Sequence, residues 1–541
     1  MVLHAVRRGL PSPPRVPPRG PSLPARGVIF ARVPRAIRKL LLAVGVTAVA
    51  GVGACQLLPE RFAVNAPLGQ LLFGRGIDPP PTATLAQRLV APPGFGVGRF
   101  AEGLPGARFL RFTEAGDLLV SLPREGRIVL LERDANGDGR ADGARTLIDG
   151  LNRPHGIELH DGWLYVGETD AIGRVRFDAE TRALTGTLER IVTGLPGGGN
   201  HWTRTVRIGP DGLLYVHVGS SCNACLEEDP RRATMLRFAA DGSHPEVFAT
   251  GLRNSVGFDW RPGTNDLYAT DNGRDLLGDD YPPCELNLVV EGGFYGWPFA
   301  NADGKPDPDH GAGHEAEIAR TRPPVHLFRP HNAPLGITFV RHPSAPPELR
   351  GAALVALHGS WNRSQKDGYK VVSLRWPDDG AGGPIVERDF LTGFERGGDV
   401  IGRPVDVAEG PDGAIYVSDD YAGSIYRVAF GETTTEAAAG APALPARAAG
   451  PSPLAALTPD EIAQGDARGR ALFEQYACAG CHDPEHAERG VVAKPLSGLA
   501  SRYTLVSLGA FLATPTPPMP AFPLTDEDRR NLAIHLLVTH P

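Results

Sequence analysis

The sequence predicts an all-β six-bladed β-propeller followed by a small all-α domain. Three observations carry this. A turn followed by an alternating apolar strand recurs six times between residues 115 and 417. Helical periodicity is absent before residue 455. Beyond an Ala/Pro/Gly-rich stretch at 431–457, two segments open with helix-capping residues.

At the N-terminus, residues 1–39 are Pro/Arg-rich and hold nine Lys or Arg and no acid. Removing those nine cations from the net charge of −7 leaves −16 for residues 40–541. An acidic body excludes nucleic acid as the natural partner. Residues 40–58 form a signal or anchor segment. Its core, LLLAVGVTAVAGVGA at 40–54, is short for a spanning helix and the right length for a signal h-region. Gly53 and Ala54 before Cys55 resemble a bacterial lipoprotein cleavage site, although Val52 replaces the preferred Leu. The segment reads as export to the periplasm. Lipidation at Cys55 and an uncleaved anchor are the two routes to membrane attachment. Residues 1–30 are long for an n-region and read as lying upstream of the true start.

The propeller is placed at 80–430. Its repeats are AGDLLV (115–120), DGWLYV (161–166), DGLLYV (211–216), NDLYAT (265–270), RGAALVAL (350–357) and DGAIYV (412–417). A turn before a period-two strand is a hairpin signal. Six copies suit six four-stranded blades with long insertions. A pair of β-sandwiches is the alternative. Residues 431–457 are a semi-rigid linker. In the domain at 458–541, TPDE offers Thr458 as a cap, Pro459 for the first turn and Glu461 for a capping box. Leu472, Phe473 and Tyr476 share a helical face. TDEDRRNLAIHLL repeats the design, with Thr525 as cap and Leu532 and Leu536 on one face.

Within that domain, Cys478-Ala-Gly-Cys481-His482 is open to zinc, a disulfide or haem. Zinc needs two more ligands at short spacing, and the domain has no other Cys. The spacing is that of c-type haem attachment: two thiols bind the vinyl groups and His482 ligates iron. Of three Met, only Met519, in PTPPMPAF, lies between this motif and the last helix. It is the expected sixth ligand, a pairing suited to electron transfer. The domain resembles a class I cytochrome c. His486, His535 and His540 are read as surface residues. A fused haem requires an electron source, so the β body is expected to hold a redox cofactor.

Several stretches of the body carry a resemblance: RPHG (153–156), NHWTR (200–204), IGPDGLLYV (208–216), GLRNSVGF (251–258), ATDNGRD with DDYPPCELNLVVEGGFYGWP (269–298) and HGSWNR (358–363). Over roughly residues 85–430 the chain resembles the pyrroloquinoline quinone (PQQ) dependent sugar dehydrogenases, of the sorbosone dehydrogenase and soluble glucose dehydrogenase kind. The resemblance implies a propeller with PQQ and Ca²⁺. His201 would be the general base for the substrate hydroxyl. Arg253 and Asn254 would hold the quinone oxygens, with Arg253 stabilising charge in the reaction. His155 would be a polar cofactor contact, and Arg363 and Arg403 would pair with PQQ carboxylates. The carbonyls of Gly273 and Arg274 would ligate the cofactor-bound Ca²⁺, and Asp280 and Glu285 a second, structural Ca²⁺. The chain departs from the family pattern twice. Ser220 stands where the family has an Asp beside the base, leaving the group that orients His201 unassigned. Val405 stands where a second Arg is expected near Arg403.

Two motifs lie outside that match. DANGDGRAD places Asp134, Asn136, Asp138 and Asp142 as a calcium loop that lacks the terminal Glu; a solvated acidic turn is the other reading. CNAC, Cys222 to Cys225, reads as a local disulfide, with a redox role open if it lies near the site. Cys284 has no evident partner. The sequence thus predicts a quinohaemoprotein that oxidises a sugar or related alcohol or aldehyde. Its own haem would pass electrons to a periplasmic acceptor, a cytochrome or the quinone pool. A propeller lactonase or binding module, with the haem serving another partner, is the alternative from a different class.

Overall fold

The computed structural model describes residues 63–65, 67, 76–432 apart from 303 and 378–383, 452–483, 496, 499–500, and 503–540 apart from 514, 516–518 and 521. The proposed signal segment with Cys55, most of the linker and His486 lie outside the described residues.

Six antiparallel sheets make six blades. Blade I comprises Leu110–Phe112, Leu118–Leu122, Arg127–Leu131 and Ala144–Ile148, and blade II comprises Ile157–His160, Trp163–Gly167, Ala171–Asp178 and Ala183–Thr193. Blade III comprises Val206–Ile208, Leu214–Val218, Thr234–Phe238 and Glu246–Thr250, and adds Gly293–Phe294 as a parallel edge. Blade IV comprises Phe258–Trp260, Leu267–Asp271, Cys284–Val289 and His326–Phe328, and blade V comprises Pro334–Phe339, Ala353–Leu357, Lys370–Arg375 and Val386–Leu391. Blade VI draws on both ends of the propeller. Pro404–Glu409, Ile415–Asp419 and Ser424–Phe430 pair with the early strand Phe95–Ala101, with Phe95 opposite Phe430 and Val97 opposite Val428. This pairing of the first strand with the last closes the ring.

Each of the six sequence repeats is the second strand of a blade with its leading turn. Glycines in the left-handed region make those turns, among them Gly212 (φ 76°) and Gly413 (φ 77°). The strands differ from expectation in one respect. Alternation predicts one wet face, but Leu118–Leu122, Leu214–Val218, Ala353–Leu357 and Ile415–Asp419 are buried at every position. Neighbouring blades cover both faces of a second strand, so its polar positions must be small or hydrogen-bonded. Between blades II and III, for example, Tyr165, Ile172, Val206, Val216 and Leu236 form one apolar layer. Buried carboxylates stitch the blades: Asp406 accepts from Leu110 N at 2.9 Å, and Asp259 from Phe339 N at 2.9 Å and Arg341 Nη1 at 2.8 Å.

Among the described residues, the helices before residue 455 are short: α1 (Thr82–Arg88) and α2 (Glu315–Ile318). The C-terminal part contains α3 (Pro459–Gln475), α4 (Ala479–His482), α5 (Leu505–Ala513) and α6 (Asp526–Thr539). Both capping boxes form: Thr458 with Glu461, and Thr525 with Asp528. Leu472, Leu532 and Leu536 are buried together, and Phe473 and Tyr476 pack on them. Gly465 and Gly469 let α3 and α6 touch, since a Cβ on Gly469 would lie 2.2 Å from Asn531 O. The surface reading of His535 is corrected. It is 6% exposed and bonded through Nδ1 to Asp466 Oδ1 at 2.8 Å. Its polarity misled, because the carboxylate that satisfies it sits on another helix. His540 is half-buried. No described helix is long and apolar enough to cross a membrane.

Candidate functional site

Blade topology brings the distant motifs together. In each blade, the loop after the second strand and the loop leading into the next blade emerge at the same end. His155, His201, Arg253, Asn254 and Arg403 lie on inter-blade loops. Gly273, Arg274, Asp280 and Arg363 follow second strands. One face of the propeller therefore carries every predicted cofactor and catalytic residue of the body. The Asp134–Asp142 loop joins the third and fourth strands of blade I and lies on the opposite face.

His201 is held by Ser220. Its Nδ1 is 2.9 Å from Ser220 O and 2.8 Å from Ser220 Oγ. A main-chain carbonyl only accepts, and Ser220 Oγ donates its own proton to Cys222 O at 2.8 Å. Nδ1 therefore carries the hydrogen, and the lone pair sits on Nε2. Burial, then the charge of Arg253, push the imidazole well below its ordinary pKa. A neutral ring with an unprotonated Nε2 is the form a base requires. Arg204 of the same motif is fully buried and donates to His201 O at 3.0 Å and Thr203 O at 2.7 Å, which shapes the loop around His201.

Arg253 is buried, and its guanidinium is committed to protein acceptors. Nε meets Asn223 O at 2.9 Å; Nη1 meets Asn272 O and Gly273 O, both at 3.0 Å; Nη2 meets Asn223 Oδ1 at 2.9 Å and Asp275 Oδ2 at 3.4 Å. Asn254 Oδ1 is buried with no partner among the described residues. The Arg274 side chain lies in a salt bridge to Asp307 at 2.7 Å and Asp309 at 2.8 Å. Cys222 and Cys225 form a disulfide. Asn223 lies inside its loop.

Four arginines gather on this face, Arg108, Arg153 and Arg403 on inter-blade loops and Arg124 after the second strand of blade I. Arg153 lies 4.0 Å over Trp202, and Arg108 lies 5.7 Å from the same ring. Desolvation, then the charges of Arg108 and Arg124, lower Arg153 to about 10. Arg403 donates to His358 O at 3.1 Å and Gly359 O at 2.9 Å, and its charge acts on Arg108. Asp420 is the carboxylate among them, 2.8 Å from both Arg108 and His358. His155 is buried against Phe109 and Trp202, and its Nε2 has no partner among the described residues. Burial, then Arg108, hold His155 well below its usual pKa. Arg363 lies further round the ring, bonded to Asp279 O and Pro330 O.

One device recurs beneath these arginines. A carboxylate at or just past the end of the second strand accepts main-chain N–H groups of the neighbouring inter-blade loop. Glu168 takes Asn152 N at 2.7 Å, next to Arg153; Asp271 takes Arg253 N at 2.9 Å; Asp419 takes Arg403 N at 2.9 Å. Burial raises Asp271 to about 7 and Asp419 to about 6. The main chains of these loops are thus held by acceptors in the blade.

The two outlying calcium proposals find less. Asp280 is exposed, with its carboxylate 3.7 Å from Arg363 Nη2, whereas Glu285 is buried within its strand. Asp134 accepts from the amides of Gly137 and Gly139, both at 2.7 Å, and Asp142 from Ala135 N at 3.0 Å. Neither set joins a cluster of three ligand side chains among the described residues. Cys284 is a buried free thiol, raised to about 11 by burial. In the helical part, Cys478 and Cys481 are free, α4 carries His482, and Met519 packs on the core shared with Tyr476 and Phe522.

Sequence reading missed Asn223, Arg108, Arg153, Trp202 and Asp420. Trp202 and Arg153 lay inside quoted motifs, NHWTR and RPHG. Arg108 and Asp420 had no local signal, because they meet across 312 positions.

The glucose/sorbosone dehydrogenase family model matches residues 164–427. An uncharacterized protein of Borreliella burgdorferi is 33% identical over 298 residues, 53% of this chain and 78% of that protein. The pyrroloquinoline quinone-dependent pyranose dehydrogenase of Coprinopsis cinerea is 26% identical over 398 residues, 62% of this chain and 53% of that enzyme. The chain thus spans about half the length of that relative. The solved holo PQQ domain of the Coprinopsis enzyme shares the fold, with TM-score 0.54 and 24% identity over 63% of this chain and 97% of that one.

Proposed function

Because the chain belongs to the glucose/sorbosone dehydrogenase family, we propose that its propeller oxidises a sugar, an aldose or a sorbosone-like aldehyde, with PQQ as cofactor. The observation that carries this reading is the meeting, on one face, of a neutral imidazole with its lone pair on Nε2 and a ring of guanidinium groups.

The residues present fit a planar tri-acid with quinone carbonyls. Buried His155 Nε2, Asn254 Oδ1 and Arg108 Nε have no partners among the described residues. Arg108 and Arg153 add positive charge near Arg403, where Val405 had seemed to leave a deficit. Arg403, Arg108 and Arg363 would hold carboxylates, and Asn254 the quinone edge, joined by Arg253 once its donor to Gly273 O is released. When bound, PQQ supplies the acceptor for the two electrons that leave the sugar carbon. His201 Nε2 takes the hydroxyl proton, and Ser220 keeps the imidazole in the tautomer able to do so. The carbonyls of Gly273 and Arg274 are the candidates for a Ca²⁺ beside the cofactor. A metal at Gly273 O would replace the Arg253 donor it now receives.

The C-terminal helices are read as a c-type haem domain, with thioether links at Cys478 and Cys481 and axial ligands His482 and Met519. Electrons would leave through it to a cytochrome or the quinone pool. The Cys222–Cys225 disulfide supports an oxidising compartment, the periplasm. The test adds PQQ and Ca²⁺ to the apoprotein with a panel of aldoses and a dye. Turnover that needs PQQ supports the reading; no PQQ-dependent turnover with any sugar ends it. A haem stain that survives denaturing electrophoresis, and is lost in Cys478→Ala/Cys481→Ala, tests the second domain.

A further inference from the structure

We propose that Asn223, held on the Cys222–Cys225 loop, is a positioning residue that acts through Arg253, and that the disulfide is what keeps it there. The proposal rests on the reading of this face as the PQQ site. Asn223 meets Arg253 twice: its main-chain carbonyl accepts Nε at 2.9 Å and its side-chain carbonyl accepts Nη2 at 2.9 Å. The same Oδ1 accepts from Asp275 N at 2.8 Å, and Nδ2 donates to Asp275 O at 3.0 Å. One side chain therefore ties Arg253 to the segment that presents Gly273 and Arg274.

The same loop reaches His201. Ser220 contacts Nδ1, its hydroxyl donates to Cys222 O at 2.8 Å, and its N–H donates to Arg253 O at 2.9 Å. Hydrophobic burial does not hold the loop. Residues 221–225 are half-buried, and Leu226 points outward at 61% exposure. Hydrogen bonds and one covalent link are left to fix it. Opening that link frees the main chain between Cys222 and Cys225 to rotate, and the carbonyls that face Arg253 and Ser220 are released together. A dithiol does this in two steps. Its thiolate attacks one sulfur to give a mixed disulfide, and its second thiolate displaces the other. Cys222 and Cys225 each end protonated, and the dithiol is oxidised to its cyclic disulfide.

Three samples of the full chain test this: Cys222→Ser/Cys225→Ser, Asn223→Ala, and wild type treated with dithiothreitol. The first readout is hydrogen exchange of 219–227 and 271–276, without quinone. The second is half-saturation for PQQ by fluorescence quenching. The expected result is faster exchange in both segments and half-saturation about tenfold weaker, the size of one lost charge-assisted hydrogen bond. Far-UV circular dichroism should be unchanged, and Asn223→Asp, which keeps both acceptors for Arg253 but loses the Nδ2 donor to Asp275 O, should restore part of the binding. Dithiothreitol-treated wild type gives the answer if the double variant does not fold. Unchanged exchange at 271–276 in all three samples overturns the proposal, as does Asn223→Ala with wild-type half-saturation. If wild type binds no PQQ, the proposed function fails, while the exchange comparison still decides this inference.

Discussion

Replacing Ser220 with Asp sets a carboxylate beside His201 Nδ1, where the wild type has a hydroxyl at 2.8 Å. In wild type, burial and then Arg253 keep the imidazole neutral below its ordinary titration point. An unperturbed histidine would hold only about a tenth of its base form at pH 5.5. The wild-type enzyme should therefore lose less than tenfold in kcat/KM between pH 7.5 and about 5.5. An opposite charge at this range raises a histidine by about one to three units, or about 1.4 to 4 kcal/mol of preference for the cation. Ser220→Asp should move the acid limb up by that interval and leave the alkaline plateau in place. The assay is dye-linked kcat/KM from pH 4.5 to 9 at constant ionic strength and saturating PQQ, with circular dichroism as the control for folding. A wild-type limb at the ordinary histidine position refutes the reasoning. So does a folded Ser220→Asp variant whose limb has not moved.

Four other outcomes are expected. His201→Ala should lower kcat by 10²–10⁴-fold with the propeller intact, as loss of a general base does; undiminished turnover removes the assignment. Asp419 is raised by burial to about 6, so the folded state binds its proton more tightly than the unfolded chain. Its contribution is full below about pH 4 and is lost as pH rises through 6. Asp419→Asn keeps an oxygen for the amides of Arg403, Tyr421 and Ala422. It should gain up to about 3 kcal/mol on wild type between pH 4 and 7 in urea titrations, and parallel curves would contradict this. Gly469→Ala should force α3 from α6 and lower stability by about 1–3 kcal/mol, seen as a lower denaturant midpoint. Met519→Ala should abolish the near-infrared charge-transfer band of a Met-ligated ferric haem, and a retained band would remove that ligand.

Local signals were legible in the sequence, and signals spread across blades were not. Thr458 with Glu461 is written within four residues and its capping box forms as read, and Thr525 caps the last helix as read, with Asp528 completing a second box. The six turn-strand repeats each found a second strand, because the turn glycine and the buried run are contiguous. The repeats did not show how deeply the second strands lie, since neighbouring blades cover both of their faces. His201 stood out through NHWTR, but its holder did not. Ser220 looked like a missing Asp, and only the fold shows that its carbonyl and hydroxyl both reach Nδ1. His535 was misread for the same reason, because Asp466 is 69 positions away. In the Asp134 loop, the carboxylates of Asp134 and Asp142 accept from the loop's own amides, and the spacing alone does not choose between a calcium loop and a solvated turn.

The account joins a sugar-oxidising face to a haem in one chain, and a single spectrum tests that joint most directly. Wild-type protein carrying haem is loaded with PQQ and Ca²⁺, given an aldose without any dye, and followed at the haem α-band. The account predicts reduction of the haem that requires PQQ and sugar together and is lost in His201→Ala. A haem that stays oxidised while an added dye shows sugar turnover would break the link between the two domains, and no turnover at all would break the central claim.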